Sequence, residues 1–174
     1  MRYTILLLSM IMVLACQAQA PADRPTCEDA AFDKMVSRLL SYTVPLKGVT
    51  DFSDGDVSQY LVLDARERAE YNVSHIKGAR YIGYDNFDIK KLRGTPKSQP
   101  ILVYCSVGYR SEKIGEKLQK AGYSRVYNLY GSLFEWVNHG LPIVNNTGKK
   151  QQKIHTYNQR WSKWVLNKTY QKIW

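Results

Sequence analysis

The chain has 174 residues, 44% of them hydrophobic, enough for one domain with a real core, which excludes wholesale disorder. Lys and Arg outnumber Asp and Glu by 25 to 15, a formal net charge of +10, so the expected partners are anionic: small oxyanions, acidic proteins or lipid headgroups. No long block of one sign occurs, which argues against nucleic acid, and no Cys/His cluster has zinc spacing, so no metal or other cofactor is expected.

At the N-terminus, Arg2 precedes an apolar run over residues 5–15 (ILLLSMIMVLA). That run is too short to span a membrane comfortably and suits a secretory signal. Ala18-Gln19-Ala20 offers a small-residue cleavage site, although Pro21 would follow the cut. Val13-Leu14-Ala15-Cys16 resembles a lipobox, with Cys16 as the acylated residue. The second reading is favoured. It divides the N-terminal region into a signal at 1–20 (1–15 when Cys16 is acylated) and a polar tether at 21–29. The protein is then expected on the periplasmic side of a bacterial membrane, anchored through Cys16. An oxidising compartment would permit a Cys27–Cys105 disulfide. Such a bridge would consume the candidate nucleophile, so Cys27 is expected to be a free or partly buried thiol.

Phe32, Met35, Val36, Leu39 and Leu40 follow helical spacing, with Asp29 near the start and Pro45 as the far limit. Tyr60-Leu61-Val62-Leu63-Asp64 reads as a buried strand ending at the acid. Ile101-Leu102-Val103-Tyr104 is a second, ending at Cys105. From Ser111 to Gly122 a helix is expected, with Ile114, Leu118 and Ala121 on its apolar face and Gly122 as its cap. Arg125 to Leu129 looks like a third strand, and Phe134 to His139 a helical turn closed by Gly140 and Pro142. The tail at 145–174 is basic and aromatic. Tyr157, Trp161, Trp164 and Val165 fit one helical face, which predicts a C-terminal helix packed on the domain. The sharper alternative is a membrane-interface or partner surface.

Alternating strands and helices predict an α/β domain with a parallel sheet covered on both faces. Ligands in such sheets bind beyond the strands' carboxyl ends, where Cys105 lies. Unpaired amides and the helix dipole stabilise an anion there, lowering a thiol's pKa. Gly108 permits positive φ, turning loop amides inward as a nest. Arg110 supplies a cation with fork geometry. Ser111 can cap the helix or donate to the anion. A thiolate formed in this way could take sulfur from an anionic donor and pass it on, in two covalent steps that need no enzyme base.

Leu63-Asp64-Ala65-Arg66-Glu67, Glu70-Tyr71 and His75-Ile76-Lys77-Gly78-Ala79 resemble the first signature of rhodanese domains. Tyr104-Cys105-Ser106-Val107-Gly108-Tyr109-Arg110-Ser111 resembles their active-site loop. Asn128-Leu129-Tyr130-Gly131-Ser132 with Trp136 resembles the closing motif, with Ser132 where a second glycine is commoner. The resemblance covers residues 30–144. It implies a five-stranded parallel sheet flanked by helices on both faces. It also implies a sulfurtransferase in which Cys105 carries the persulfide, and Arg110, with Ser106, Val107, Gly108, Tyr109 and Ser111, binds the substrate. The partners it implies are an anionic donor such as thiosulfate and a thiol or cyanide acceptor. Four residues separate Cys105 from Arg110. The related phosphatases and arsenate reductases resemble a loop one residue longer, so that reading is weaker here. A non-catalytic binding module on the same fold is the other alternative. Asp64 and Arg66 are expected to brace the loop as an ion pair, and His75 to fix the turn before Ile76. Glu67 and Glu70 are expected to start a helix, Tyr109 to sit at the pocket mouth, and His139 and His155 receive no role.

Overall fold

The computed structural model describes residues 19–52 and 54–174, so Cys16 and the signal segment lie outside the described residues. Helix α1 (Ala30–Leu39) begins where Asp29 accepts a 2.7 Å hydrogen bond from the Phe32 amide. It buries Phe32 and Val36, each worth about 1.5–3 kcal/mol of apolar burial. Strands β1 (Leu46–Lys47), β2 (Leu61–Asp64), helix α2 (Arg68–Val73), β3 (His75–Ile76), β4 (Arg80–Tyr81) and β5 (Ile101–Tyr104) follow. Next come α3 (Tyr109–Lys120), β6 (Val126–Leu129), α4 (Ser132–Asn138) and β7 (Ile143–Val144). The chain ends with β8 (Lys150–Gln151), β9 (Lys153–His155), α5 (Gln159–Ser162) and β10 (Gln171–Ile173).

The main sheet has five parallel strands in the order β1-β6-β5-β2-β4. Central β5 is buried at every residue, which explains its unbroken apolar run. Leu102 and Tyr104 point into a cluster with Phe32 and Val36 of α1 and Leu133 and Trp136 of α4. Ile101 and Val103 point the other way, against Ile114 and Leu118 of α3. Both faces are thus covered, as expected. Helix α3 starts two residues before the predicted Ser111 and stops at Lys120. Gly122 follows at φ +89°, its amide bonded to the Gln119 carbonyl and that of Tyr123 to Leu118.

The C-terminal segment differs from the predicted helix. Strand β8 pairs antiparallel with β7, which pairs with β3; β9 and β10 form a separate parallel pair. Only four residues, Gln159–Ser162, are helical. Of the residues with helical spacing only Trp161 lies in that turn: Tyr157 precedes it at φ +68° and Trp164 follows it. The segment is nonetheless packed on the domain: Ile154 and Val165 are buried, and Trp164 lies 5.5 Å from the Phe32 ring centroid. The predicted tether is also docked from Arg24 onward, since Arg24 bonds Asp33 (2.6 Å) and the Tyr130 hydroxyl (2.7 Å). Among the described residues, no helix is long and apolar enough to cross a membrane.

Candidate active site

Cys105 is the first residue beyond β5, at the carboxyl edge of the central strand. Its neighbours force the chain to turn at once into α3. Gly108 makes that turn at φ +121°, a conformation open to glycine and strained for other residues. A Cβ there would meet Leu40 only in ordinary contact at 3.4 Å, so the backbone angle, not space, calls for glycine. The turn brings the Gly108 amide to 3.1 Å from the Cys105 Sγ. Burial pushes the thiol pKa up, but Arg110's charge, the Ser111 hydroxyl and amide and the Gly108 amide outweigh it. The net result is a thiol held below its ordinary value.

The loop's outer carbonyls are clamped from β6 and α4. Buried Asn128 donates through Nδ2 to the Gly108 carbonyl at 3.0 Å. Its Oδ1 accepts from the Ser111 hydroxyl at 2.7 Å. The Ser132 hydroxyl accepts from the Cys105 amide at 3.2 Å and lies 2.9 Å from the Leu129 carbonyl, to which it donates. The amides of Leu133 and Phe134 donate to the carbonyls of Cys105 and Ser106 at 3.2 and 3.1 Å. Ser132 sits at φ +52°, a conformation that costs a non-glycine residue about 1–3 kcal/mol. The serine in the closing motif therefore reaches beyond the tightness of its turn and grips the reactive loop.

Two arginine–carboxylate pairs lie beneath and beside the loop. Asp64 and Arg66 form a fully buried pair at 2.7 Å. Asp64 also accepts from the Tyr104 hydroxyl at 2.6 Å, and Arg66 donates to the Ser74 carbonyl at 2.6 Å. The second pair is Arg110 with Glu70, bidentate at 2.6 and 2.8 Å. Arg110 also donates to the Ser106 hydroxyl at 3.0 Å. Burial raises the Glu70 pKa, but Arg110, with Arg66 behind it, holds the carboxyl below its usual range. Arg110 thus reaches Cys105 with part of its charge already matched. Nearby, His75 stacks on Tyr71 at 4.0 Å and its Nδ1 lies 3.0 Å from the Tyr71 carbonyl.

Above the sulfur opens a cavity of about 320 Å³, with Cys105, Ser106 and Arg110 at its base and Leu39, Val107, Tyr84, Tyr109, Tyr157 and Trp161 among its walls. Cys105 is 1% exposed, yet faces this cavity. The structure thus gathers Cys105, Ser106, Val107, Gly108, Tyr109, Arg110 and Ser111 in one place, with Asp64 and Arg66 behind them. Sequence reasoning missed the tasks of Glu70, Asn128 and Ser132, and the arrival of Tyr157 and Trp161. Asn128 and Ser132 were visible as polar residues inside a strand end and a turn. Tyr157 and Trp161 gave no signal that they return to the loop. His139 and Glu135 pair at 2.9 Å away from this cavity.

A strand-end cysteine with a depressed pKa, an amide from its own loop and an arginine at the next helix's start form an arrangement on a parallel α/β sheet that can hold an anion beside a thiol able to act covalently. A family model described as the rhodanese-like domain matches residues 50–139. A protein named sulfurtransferase from Allochromatium vinosum is 34% identical over 93 residues, 53% of this chain and 86% of that protein. The thiosulfate:glutathione sulfurtransferase of Saccharomyces cerevisiae is 28% identical over 120 residues, 62% of this chain and 84% of that one. Proteins named tRNA uridine(34) hydroxylase match as well; for that of Pelagibacter ubique only 26% of its length is covered. The solved rhodanese-like domain of an Anabaena protein superposes with a TM-score of 0.53 at 25% identity, over 58% of this chain and 79% of that one. The chain belongs to the rhodanese-like domain family.

Proposed function

We propose that this protein is a sulfurtransferase that carries sulfane sulfur as a persulfide on Cys105. The observation that carries the reading is the Cys105 Sγ, bonded to the Gly108 amide at 3.1 Å, held below the ordinary thiol pKa although buried, and facing an open cavity. The thiolate attacks the outer sulfur of an anionic donor such as thiosulfate. The donor's S–S bond breaks and sulfite leaves with the electron pair, assisted by Arg110 and the loop residues Ser106, Val107, Gly108, Tyr109 and Ser111. The persulfide is again an anion beside the Gly108 amide. A thiol or cyanide then attacks its outer sulfur and the Cys105 thiolate is returned. No protein base is required in this scheme, because the lowered thiol pKa makes the thiolate more available. A loop with four residues between Cys105 and Arg110 supports sulfur transfer over phosphate or arsenate chemistry, and the depressed thiol supports an enzyme over a pure binding module. Thiosulfate and cyanide mixed with the full chain should yield thiocyanate; no thiocyanate and no one-sulfur mass gain at Cys105 would refute the proposal.

Export and acylation of Cys16 belong to the same reading, placing the activity on the periplasmic side of a membrane. Cells fed labelled palmitate should label the wild-type chain and not Cys16→Ser; equal labelling would remove the anchor.

A further inference from the structure

Resting on the sulfur-transfer reading, we infer that the C-terminal extension selects the sulfur acceptor, with Tyr157 and Trp161 forming an apolar wall that favours an organic thiol bearing an aromatic or branched apolar group.

Four observations support this. The cavity over Cys105, about 320 Å³, has the size of pockets that take small organic molecules and exceeds the needs of an inorganic anion. Its walls are mostly apolar, formed by Leu39, Val107 and the rings of Tyr84, Tyr109, Tyr157 and Trp161, with Glu67 and Asp85 as their acidic members. The cation at its base is matched by Glu70 through two hydrogen bonds, so the site's excess positive charge is small. Lastly, Tyr157 is held over the site at a cost. It adopts φ +68°, rare for an aromatic residue and strained by about 1–3 kcal/mol.

That strain is maintained by the surroundings. The Tyr157 amide donates to His155 Nδ1 at 3.0 Å, and the Asn158 amide donates to the Thr156 carbonyl at 2.8 Å. Thr156 is buried and its amide is tied to Ile173 of β10 at 2.7 Å. The outcome is a ring 5.4 Å from the Arg110 guanidinium carbon, although the residue is 55% exposed. An exposed aromatic side chain fixed in a strained turn beside a reactive loop gains little for stability. It does supply an apolar surface next to the sulfur.

The step balances without an external oxidant. The sulfur of the acceptor thiol forms a bond to the outer sulfur of the anionic Cys105 persulfide, and the thiol's proton passes to that outer sulfur. The Sγ–S bond breaks and its electron pair returns to Cys105 as thiolate. The proton leaves with the product hydropersulfide. An acceptor with an apolar group would lay that group against Tyr157 and Trp161 while its sulfur approaches the persulfide from the mouth of the cavity.

The test uses the full chain loaded with thiosulfate and compares two thiols of similar acidity, phenylmethanethiol and mercaptoethanol. The ratio of kcat/KM should favour phenylmethanethiol by roughly tenfold or more, the effect of burying one aromatic ring. In Tyr157→Gly, which removes the ring and relieves the strained φ, the ratio should fall to within about threefold, mainly through KM. Trp161→Ala should lower it independently. A wild-type ratio near unity, or a ratio unmoved in both variants, overturns the inference while leaving sulfur transfer intact. If Cys105 gains no sulfur in the first half-reaction, the sulfur-transfer reading falls and takes the inference with it.

Discussion

Cys27 and Cys105 are both buried and both free, yet their surroundings drive them in opposite directions. At Cys27, burial raises the pKa, and the carboxylates of Glu135 and Asp33 raise it further. At Cys105 burial acts the same way but is overcome by Arg110, Ser111 and the Gly108 amide. One thiol is therefore a small apolar filler beside Gly131, whose Cβ position would lie 2.8 Å from the Cys27 sulfur. The other is the proposed nucleophile. The difference comes from the charge of Arg110, the Ser111 hydroxyl and the inward amides of Gly108 and Ser111, gathered by a glycine turn after a central strand.

The comparison breaks most visibly by mutation of each sulfur in turn. Cys105→Ser should abolish thiocyanate formation, whereas Cys27→Ala should retain it and lose about 1 kcal/mol in a denaturant melt through the small void left behind. Removing the charge that separates the two thiols is the next largest effect. In the double variant Arg110→Gln, Glu70→Gln, which leaves no buried carboxylate unpaired, the Cys105 pKa should rise and the rate at neutral pH should drop roughly tenfold, as thiolate absorbance against pH would report. Asn128→Ala should release the Gly108 carbonyl and cost about 1–2 kcal/mol of stability, with the Cys105 pKa moving up toward an ordinary thiol.

The smallest effect sharpens the contrast through pH. The folded pKa of Cys105 is depressed, so its contribution to stability is present above the unfolded value of about 8.5 and is lost as pH falls through the folded pKa. Cys27 is raised, so folding stability falls as pH rises above about 8.5, where only the unfolded chain ionises. Cys105→Ser should flatten the first slope and Cys27→Ala the second in chemical melts across pH.

Elements defined by nearby residues were legible in the sequence. The run 101–104 gave β5 to the residue, the Asp29 cap marked the start of α1, and Cys105 through Ser111 marked the turn from β5 into α3. What escaped was set by contacts far along the chain. Glu70 satisfies the rule for a helix's first turn, and that local role hid its pairing with Arg110, 40 residues away. Asn128 reads as an ordinary strand residue until its amide is seen holding Gly108 from 20 residues off. The tail misled for the opposite reason. Its aromatic spacing suits a helix, but Gln171–Ile173 pairs with Lys153–His155, and that tertiary pairing overrides the local period. Ser132 stands in the sequence as a departure from a glycine, yet only the folded chain shows its hydroxyl against the Cys105 amide.

The most direct measurement is iodoacetamide alkylation of the full chain across pH, quenched and read by peptide mapping at both cysteines. Cys105 should be modified with a midpoint below that of an ordinary thiol, while Cys27 stays protected until the chain unfolds. A Cys105 midpoint at or above the ordinary value, or faster labelling of Cys27, would contradict the claim that the loop after β5 makes and holds a thiolate.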